Sequence, residues 1–228
     1  MVTVACVFWG DKFSDEYVYN LKSMVERNTT VEHKFVCLTD RKKMEGIKTV
    51  PLLPGYEGWW NKLQLFNTDN RLGTRIVYLD LDTLIVGNID WLLKYDGLFM
   101  GIEDLGATNP HQKFLRGRMQ SAVMAWDYNF HNNVWKQFNS NPWNMRQFRG
   151  DGEYLNDYIP PLSRDFVQQR YPGKLKSYKY HVYPEKPSDK TSIVCFHGRP
   201  SIVQAINETV DTGFGTYKPQ QWVKDAWK

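Results

Sequence analysis

Short hydrophobic runs and one helical stripe alternate along the first 80 residues. Each run is rich in valine, isoleucine or leucine and ends at polar or turn-forming residues, which is typical of a buried strand. These runs predict strands at 2–9, 33–40, 47–53 and 75–82. Apolar residues at i, i+4, i+7 and i+8 from Tyr17 predict a helix that begins near Ser14, and 59–66 is also predicted to be helical. Strands that alternate with helices indicate an α/β fold with a parallel sheet.

The pattern is looser in the rest of the chain. Four further strands are predicted at 97–103, 120–127, 177–184 and 191–198, and two short helices at 132–139 and 151–159. The stretches 106–118 and 139–150 are predicted to be long loops, which often carry function in compact domains. No internal repeat and no Pro/Gly/Ser-rich linker interrupts the sequence, so we predict one continuous domain over 1–228.

The composition excludes several classes of protein. Of the 228 residues, 42% are hydrophobic and 24% charged, as in soluble globular proteins, and the basic residues behind the net charge of +4 are scattered, so no nucleic-acid partner is expected. The cysteines Cys6, Cys37 and Cys195 lie far apart in apolar runs, which indicates reduced thiols. The sequence shows no signal peptide and no apolar run near the roughly 20 residues of a membrane span. We therefore expect a cytoplasmic protein without a membrane span.

Two carboxylates, Asp80 and Asp82, stand at the end of the strand predicted at 75–82. Side chains at i and i+2 of a strand point to the same side, so the two carboxylates would repel each other unless a positive charge lies between them. A hard divalent cation such as Mg²⁺ or Mn²⁺ supplies that charge and keeps coordination sites for substrate phosphates. Open α/β sheets also bind ligands beyond the carboxyl ends of their strands. The alternative interpretation is an ordinary strand end with solvated acids.

The same residues fit a second class of enzyme. LDLDTL at 79–84 resembles the first motif of haloacid-dehalogenase-type phosphatases, in which Asp80 would be the nucleophile, and GDGEYLND at 150–157 resembles their late metal-binding motif. In that superfamily the nucleophile strand opens the fold, whereas 79 residues precede Asp80. The residues before the second motif, WNMRQFR, also form a poor strand core. The phosphatase remains the alternative prediction.

Several motifs around the acidic pair together resemble those of another group of enzymes. WWNKLQLF, QSAVMAWD, GDGEYL and SIVCFHGRPS accompany LDLD and together cover roughly residues 1–200. This set is similar to the glycosyltransferases of the GT-A fold, in particular the glycogenin and lipopolysaccharide galactosyltransferase family (family 8). The resemblance implies a Rossmann-like, nucleotide-sugar-binding α/β fold with a mixed, mainly parallel central sheet flanked by helices. It also implies a nucleotide-binding half at 1–105 and a sugar and acceptor half at 106–228.

The resemblance further implies a metal site. Asp80, Asp82 and His197 would hold Mn²⁺ or Mg²⁺ against the diphosphate of a UDP-sugar or similar donor. His197 directly precedes Gly198, while Cys195 occupies the strict register of the family's histidine. His197 is preferred because imidazole and carboxylates suit Mn²⁺, whereas thiolate suits softer metals.

The remaining site residues also follow from the resemblance. Asp151 would lie beside the transferred sugar, although Gly152 replaces the glutamine of the family's motif, and Gln120 replaces its asparagine. The missing glutamine and the departure from the family's spacing leave inversion as well as retention open, with Asp127, Asp151 or Glu153 as the candidate base. The predicted donor-binding residues are Val7, Trp9, Tyr17, Asp40, Lys62, Asp80, Leu81, Gln120, Ser121, Gly198 and Arg199.

Within this set, Tyr17 is the candidate to stack on the base, and Lys62 and Arg199 are the candidates to contact phosphate or sugar. The predicted function is metal-dependent transfer of a sugar from a nucleotide sugar to a glycan or other carbohydrate acceptor. A nucleotide-sugar-binding protein without catalysis is a third possibility, because the glutamine of the motif is missing.

Overall fold

The computed structural model describes residues 1–108, 114–128, 132–141, 143–213 and 215–228, without the side chains of Thr108 and Asn132. The strands are β1 Val2–Phe8, β2 His33–Thr39, β3 Lys48–Pro51, β4 Arg75–Leu79, β5 Thr83–Ile85, β6 Phe99–Glu103, β7 Met119–Asp127, β8 Arg164–Phe166, β9 Leu175–Ser177, β10 Ile193–Cys195, β11 Val210–Asp211 and β12 Thr216–Tyr217. The helices are α1 Glu16–Arg27, α2 Asp90–Leu93, α3 Asn132–Ser140, α4 Asn144–Gln147, α5 Asp151–Tyr158, α6 Val167–Arg170, α7 Ile202–Asn207 and α8 Gln221–Ala226.

A seven-stranded sheet organises the described residues, in the order β3-β2-β1-β4-β7-β6-β8. The pairs β1–β2, β2–β3, β1–β4 and β6–β8 are parallel, while β7 runs antiparallel to both β4 and β6. This confirms the predicted mixed, mainly parallel sheet. The strands before β4 extend the sheet to one side of β1, and β4 continues it on the other side. The direction in which strands are added therefore reverses between the neighbouring strands β1 and β4. This is the topological switch point, beyond whose carboxyl ends open α/β sheets bind ligands.

Hydrophobic clusters pack against both faces of the sheet. One contains the apolar stripe of α1, with Leu21 and Met24, together with the small sheet β5-β10-β9. The other contains Trp60, Phe66 and Trp126, and the Phe66 and Trp126 rings stack with their centroids 4.5 Å apart. Burial on both faces explains why the strands read as continuous apolar runs rather than as an alternating pattern. The predicted helix at 59–66 is a 3₁₀ helix, Gly58–Phe66.

The strand predicted at 177–184 is wrong for most of its length. Strand β9 ends at Ser177, and Tyr178–Val182 forms a π-helical turn. The Ser177 hydroxyl accepts a hydrogen bond from the Tyr180 backbone N–H at 3.2 Å and so caps the turn. The alternation of tyrosine with polar residues resembles a strand, but Tyr178 is buried and stacks on Phe196, with ring centroids 4.3 Å apart. Tertiary packing of one aromatic ring therefore overrides the local strand pattern.

No helix in the described part of the chain is long and apolar enough to cross a membrane.

Candidate active site

A cavity of about 350 Å³ lies at the switch point between the ends of β1 and β4. The residues that follow β1 form one wall, and those around the end of β4 form the other. The lining residues are Val7, Trp9, Lys12, Phe13, Gly58, Trp59, Lys62, Tyr78, Asp80, Leu81, Asp82 and Asp151. The structure thus brings together seven of the predicted residues, Val7, Trp9, Lys62, Asp80, Leu81, Asp82 and Asp151.

The Lys62 ammonium connects the acidic residues of this cavity. Its Nζ lies 3.0 Å from Asp80 Oδ1, 3.3 Å from Asp151 Oδ2 and 3.2 Å from the Ser121 hydroxyl. The Tyr78 hydroxyl donates a second hydrogen bond to Asp80 Oδ1, and the Ser121 hydroxyl donates to Asp151. Five side chains from four elements therefore form one hydrogen-bonded charged cluster, which we call the Lys62 cluster.

Burial and charge shift the ionisation of this cluster. Burial alone lowers the pKa of Lys62, but the carboxylates of Asp151 and Asp80 outweigh that effect and raise it, so the ammonium stays charged. Burial and the neighbouring Asp80 raise the pKa of Asp82 to about 7, against the opposing effect of Lys12 and Lys62. The negative charge of Asp82 is thus poorly compensated, and a bound cation would supply the positive charge that it lacks.

Backbone contacts fix where these side chains lie. The Asp80 N–H donates to the Ala122 carbonyl at 2.8 Å, and the Asp82 carbonyl accepts from the Phe196 N–H at 3.1 Å. Asp151 is the first residue of α5, which packs directly on β7. A Cβ atom added to Gly152 would lie 3.1 Å from the Met119 carbonyl oxygen of β7. The absence of a side chain at residue 152 therefore lets the start of α5, and Asp151 with it, approach the sheet.

His197 lies on a second, smaller cavity of about 270 Å³ that also contains Asp80, Asp82, Gln120 and Gly198. Its Nε2 is 2.8 Å from the Ser177 hydroxyl oxygen. Burial, and then the charges of Lys179 and His181, lower the pKa of His197 to about 4, so the imidazole is neutral. Neutral imidazole is the form that binds metals.

The oxygen and nitrogen ligands at the site fit Mn²⁺ or Mg²⁺ in part. No group of three His, Cys, Asp or Glu side chains among the described residues is placed to hold a metal ion together. The metal role of His197 therefore stays a prediction. Two neighbouring carboxylates that face a cavity do fit a hard divalent ion, since such an ion completes its coordination with water and substrate phosphates.

Tyr17 and Asp127 line neither of the two cavities that contain Asp80. Tyr17 is only 6% exposed and packs between Phe13 and Trp227, with ring centroids at 4.7 and 4.9 Å. Its ring is therefore covered in this structure, and its stacking on a base stays a prediction. Asp127 pairs in register with Arg75, the first residue of β4, so the structure does not bring it to Asp80, which follows the other end of that strand, and its role as a base stays a prediction.

Glu153, the other candidate base, is engaged by Arg149. Its carboxylate accepts hydrogen bonds from the Arg149 backbone N–H at 2.7 Å and from the Arg149 guanidinium at 3.0 and 3.2 Å. These bonds lower the pKa of Glu153 and leave it a poor base. It also lines a separate cavity, of about 690 Å³, that does not contain Asp80.

The other predicted donor-binding residues lie at the edges of the site. Asp40 accepts a hydrogen bond from the Gly10 N–H at 3.0 Å and lines a neighbouring cavity of about 680 Å³, which Trp9 also borders. Gln120 lines the His197 cavity. Arg199 is exposed and borders none of these cavities. Its predicted phosphate contact stays a prediction.

Sequence reasoning missed Tyr78, Lys12 and Phe13, which all line the central cavity. Tyr78 could have been found, because residues at i and i+2 of a strand share a side and Tyr78 precedes Asp80 by two positions. Lys12 and Phe13 belong to the irregular loop after Gly10, where no periodicity indicates a side chain's direction.

Searches of protein-family models and of curated proteins gave no match. Solved structures do match. The galactosyltransferase LgtC, in complex with donor and acceptor sugar analogues, is 13% identical with a TM-score of 0.59, and the match covers 88% of each chain. The bifunctional glycosyltransferase WbbM is 11% identical with a TM-score of 0.60, over 88% of this chain and 46% of WbbM. The glycosyltransferase GlyE of Streptococcus pneumoniae is 11% identical with a TM-score of 0.55, over 88% of this chain and 56% of GlyE. The predicted resemblance is thus confirmed for the architecture: this chain has the GT-A fold of these glycosyltransferases.

Proposed function

We propose that the protein is a metal-dependent glycosyltransferase that takes a sugar from a nucleotide sugar, in particular a UDP-sugar, and transfers it to a carbohydrate acceptor. One observation carries the proposal above all: the Lys62 cluster lies at the switch point of a GT-A fold. Open α/β sheets bind nucleotides at this place. Paired carboxylates and a lysine are the groups that a metal-bound diphosphate requires.

The residues of the cavity have different roles in this proposal. Asp80 and Asp82 would hold Mn²⁺ or Mg²⁺, with His197 as a further ligand, and the ion supplies positive charge to the diphosphate leaving group. Lys62 and Lys12 also line the cavity and add positive charge to it. Positive charge there stabilises the negative charge that develops on the diphosphate when the glycosidic bond breaks.

Asp151 acts on the sugar rather than on the diphosphate. It is buried at the start of α5, and hydrogen bonds to Ser121 and Lys62 fix its orientation. A carboxylate held in this way can accept a hydrogen bond from a sugar hydroxyl or stabilise positive charge at the anomeric carbon.

Trp59 supplies an apolar face for a carbohydrate at the rim of the cavity. Its side chain is 53% exposed although it borders the cavity. Aromatic rings suit the flat apolar faces of sugars.

The phosphatase alternative is weaker for a structural reason. Both oxygens of Asp80 accept contacts from Lys62, at 3.0 and 3.2 Å, and Tyr78 adds a hydrogen bond to one of them. A carboxylate so engaged is a poor nucleophile. The structural matches that are described are glycosyltransferases.

A thermal-shift panel of nucleoside diphosphates, each with and without Mn²⁺, tests the proposal. UDP with Mn²⁺ should raise the melting temperature, since a ligand at 100 times its Kd stabilises a protein by about 2.7 kcal/mol. Asp82→Asn should abolish the Mn²⁺-dependent part of this shift in melting temperature. Asp189→Asn, a change of an exposed residue outside the site, should leave that part of the shift intact. No shift with any nucleotide would refute the proposal.

Release of UDP from UDP-sugars in the presence of candidate acceptors then separates an enzyme from a binding protein. Turnover that is lost in Asp151→Asn supports the transferase. Binding of UDP without turnover of any donor supports a nucleotide-sugar-binding protein.

A further inference from the structure

The Lys62 ammonium binds to side chains of the protein itself in this structure. Its Nζ contacts both oxygens of Asp80, at 3.0 and 3.2 Å, as well as Asp151 and Ser121. Its side chain is 13% exposed, and that of Asp151 is 8% exposed. Contacts of a partly buried ammonium with two carboxylates are stronger than those of an exposed pair, because water screens them less.

The cluster needs this ammonium to be stable. Asp80, Asp82 and Asp151 all border the cavity, and the other cation on it, Lys12, is exposed. Three carboxylates in one cavity repel each other strongly unless positive charge lies among them. Lys62 is the group that contacts two of the three, and so it fills the role of a counter-ion.

A divalent cation that binds Asp80 must therefore compete with Lys62. Both Asp80 oxygens already accept from the ammonium, so an ion that arrives alone gains carboxylate ligands but breaks the contacts of Lys62. When the ion binds together with a diphosphate, the loss of the Lys62 contacts is partly offset. The phosphates supply further oxygen ligands for the ion and a new negative partner for the lysine.

We infer that Lys62 is a positioning residue that makes the binding of the metal ion dependent on the nucleotide. In the free protein it acts as a built-in counter-cation of Asp80 and Asp151, and the ion together with the diphosphate displaces it from Asp80. The inference rests on the proposed function for the identity of the two ligands. It predicts strong positive coupling between Mn²⁺ and UDP, which by linkage is the same whichever ligand binds first.

Titration with Mn²⁺ in the absence of nucleotide, followed by the electron paramagnetic resonance signal of free Mn²⁺, tests the inference without any measurement of activity. Lys62→Met should bind Mn²⁺ about tenfold more tightly than the unchanged protein, a factor common for coupled sites. The factor by which UDP improves Mn²⁺ binding should fall in the same variant. Lys62→Arg keeps the positive charge and should restore weak binding of the metal alone.

Two further variants keep the test decisive. Lys62→Met together with Asp151→Asn removes one positive and one negative charge, so it keeps the charge balance of the cluster and serves as the test if the single variant fails to fold. It should also bind Mn²⁺ more tightly than the unchanged protein. Adding Asp82→Asn to Lys62→Met should remove the gained binding if the ion sits on the acidic pair. The inference is wrong if neither Lys62→Met alone nor Lys62→Met with Asp151→Asn binds Mn²⁺ better than the unchanged protein. Because this criterion uses only the titrations without nucleotide, its result is distinct from a failure of UDP to bind.

Discussion

Single side chains of the Lys62 cluster depend on one another for their charge. The Lys62 pKa is raised because Asp151 and Asp80 outweigh its burial, and Asp80 is held in turn by Tyr78 and Lys62. The motifs of the sequence predicted Lys62, Asp80 and Asp151 as separate site residues. They could not predict the contacts among them, because residues 62, 80 and 151 meet only through the packing of three elements. Those contacts, rather than the motif alone, decide what each group can do.

Gly152 gives a prediction at this scale. Alanine is the better helix former, but its Cβ would lie 3.1 Å from the Met119 carbonyl oxygen, and the backbone of a central strand yields little. Gly152→Ala should therefore lower the free energy of unfolding by about 1 kcal/mol, as moderate overpacking does, and should weaken donor turnover by displacing Asp151.

Urea unfolding and UDP release measure the two effects. Gly150→Ala is the matched control, since its Cβ would meet nothing closer than Trp59 Nε1 at 3.5 Å, an ordinary contact. Equal stability of the two variants would show that α5 does not need the close approach to β7.

Elements with an unambiguous pattern were predicted correctly, and those decided by tertiary contacts were not. Strands β1, β2 and β4 are continuous apolar runs buried on both faces, and the sequence predicted each within two or three residues. The π-helical turn at Tyr178–Val182 was missed because the burial of Tyr178 against Phe196 leaves no periodic signal. The long loop predicted at 139–150 contains the short helix α4, Asn144–Gln147. Of the other predicted long loop, 106–118, residues 109–113 lie outside the described residues.

The start of α2 is joined to the loop after α1 by Asp90. Its carboxylate accepts hydrogen bonds from the Thr29 hydroxyl at 2.6 Å and from the Thr30 backbone N–H at 2.8 Å. These bonds lower the pKa of Asp90 below its usual value near 4. The stabilisation that the ionised Asp90 carboxylate gives to the folded state is thus fully present above about pH 4, and it is lost as the pH falls through the lowered pKa of Asp90.

Asp90→Asn should lower the free energy of unfolding by about 1.5 kcal/mol at pH 7, the lower end of the range for hydrogen bonds to a charged group, since this contact lies near the surface. The loss should shrink at pH 2, where the carboxyl is closer to protonation in the unchanged protein. Chemical denaturation at both pH values checks this, with Asp189→Asn as the exposed control. A difference that does not change with pH would show that the charge of Asp90 is not responsible.

At the scale of the whole molecule, the two ends of the described chain support one side of the site. Trp227, just after α8, packs its ring against Tyr17 of α1, and Tyr17 contacts Phe13, which lines the cavity. The Arg27 guanidinium donates hydrogen bonds to the carbonyls of Ala226 and Lys228. The sequence predicted Tyr17 as a ligand contact because its position after β1 fits one, but the partner that buries it lies 210 residues away.

Trp227→Ala should lower the free energy of unfolding by about 3 kcal/mol, as the loss of a buried aromatic ring does. It should also weaken the binding of UDP, since Tyr17 would no longer support Phe13. Trp143→Ala is the matched control, because Trp143 is 60% exposed and its removal should change stability by no more than about 0.5 kcal/mol. Calorimetric melting and UDP titration measure both effects. Equal losses in the two variants would contradict this role of the C-terminal segment.

The central claim is that the acidic pair at the switch point holds a cation against the diphosphate of a nucleotide sugar. A crystal structure of the protein with UDP and Mn²⁺, in which anomalous scattering locates the manganese, tests it most directly. The account predicts a manganese peak on the carboxylates of Asp80 and Asp82, with the diphosphate bound to the ion and Lys62 no longer bonded to Asp80. Manganese on other residues, or UDP bound away from the cavity between β1 and β4, would contradict it.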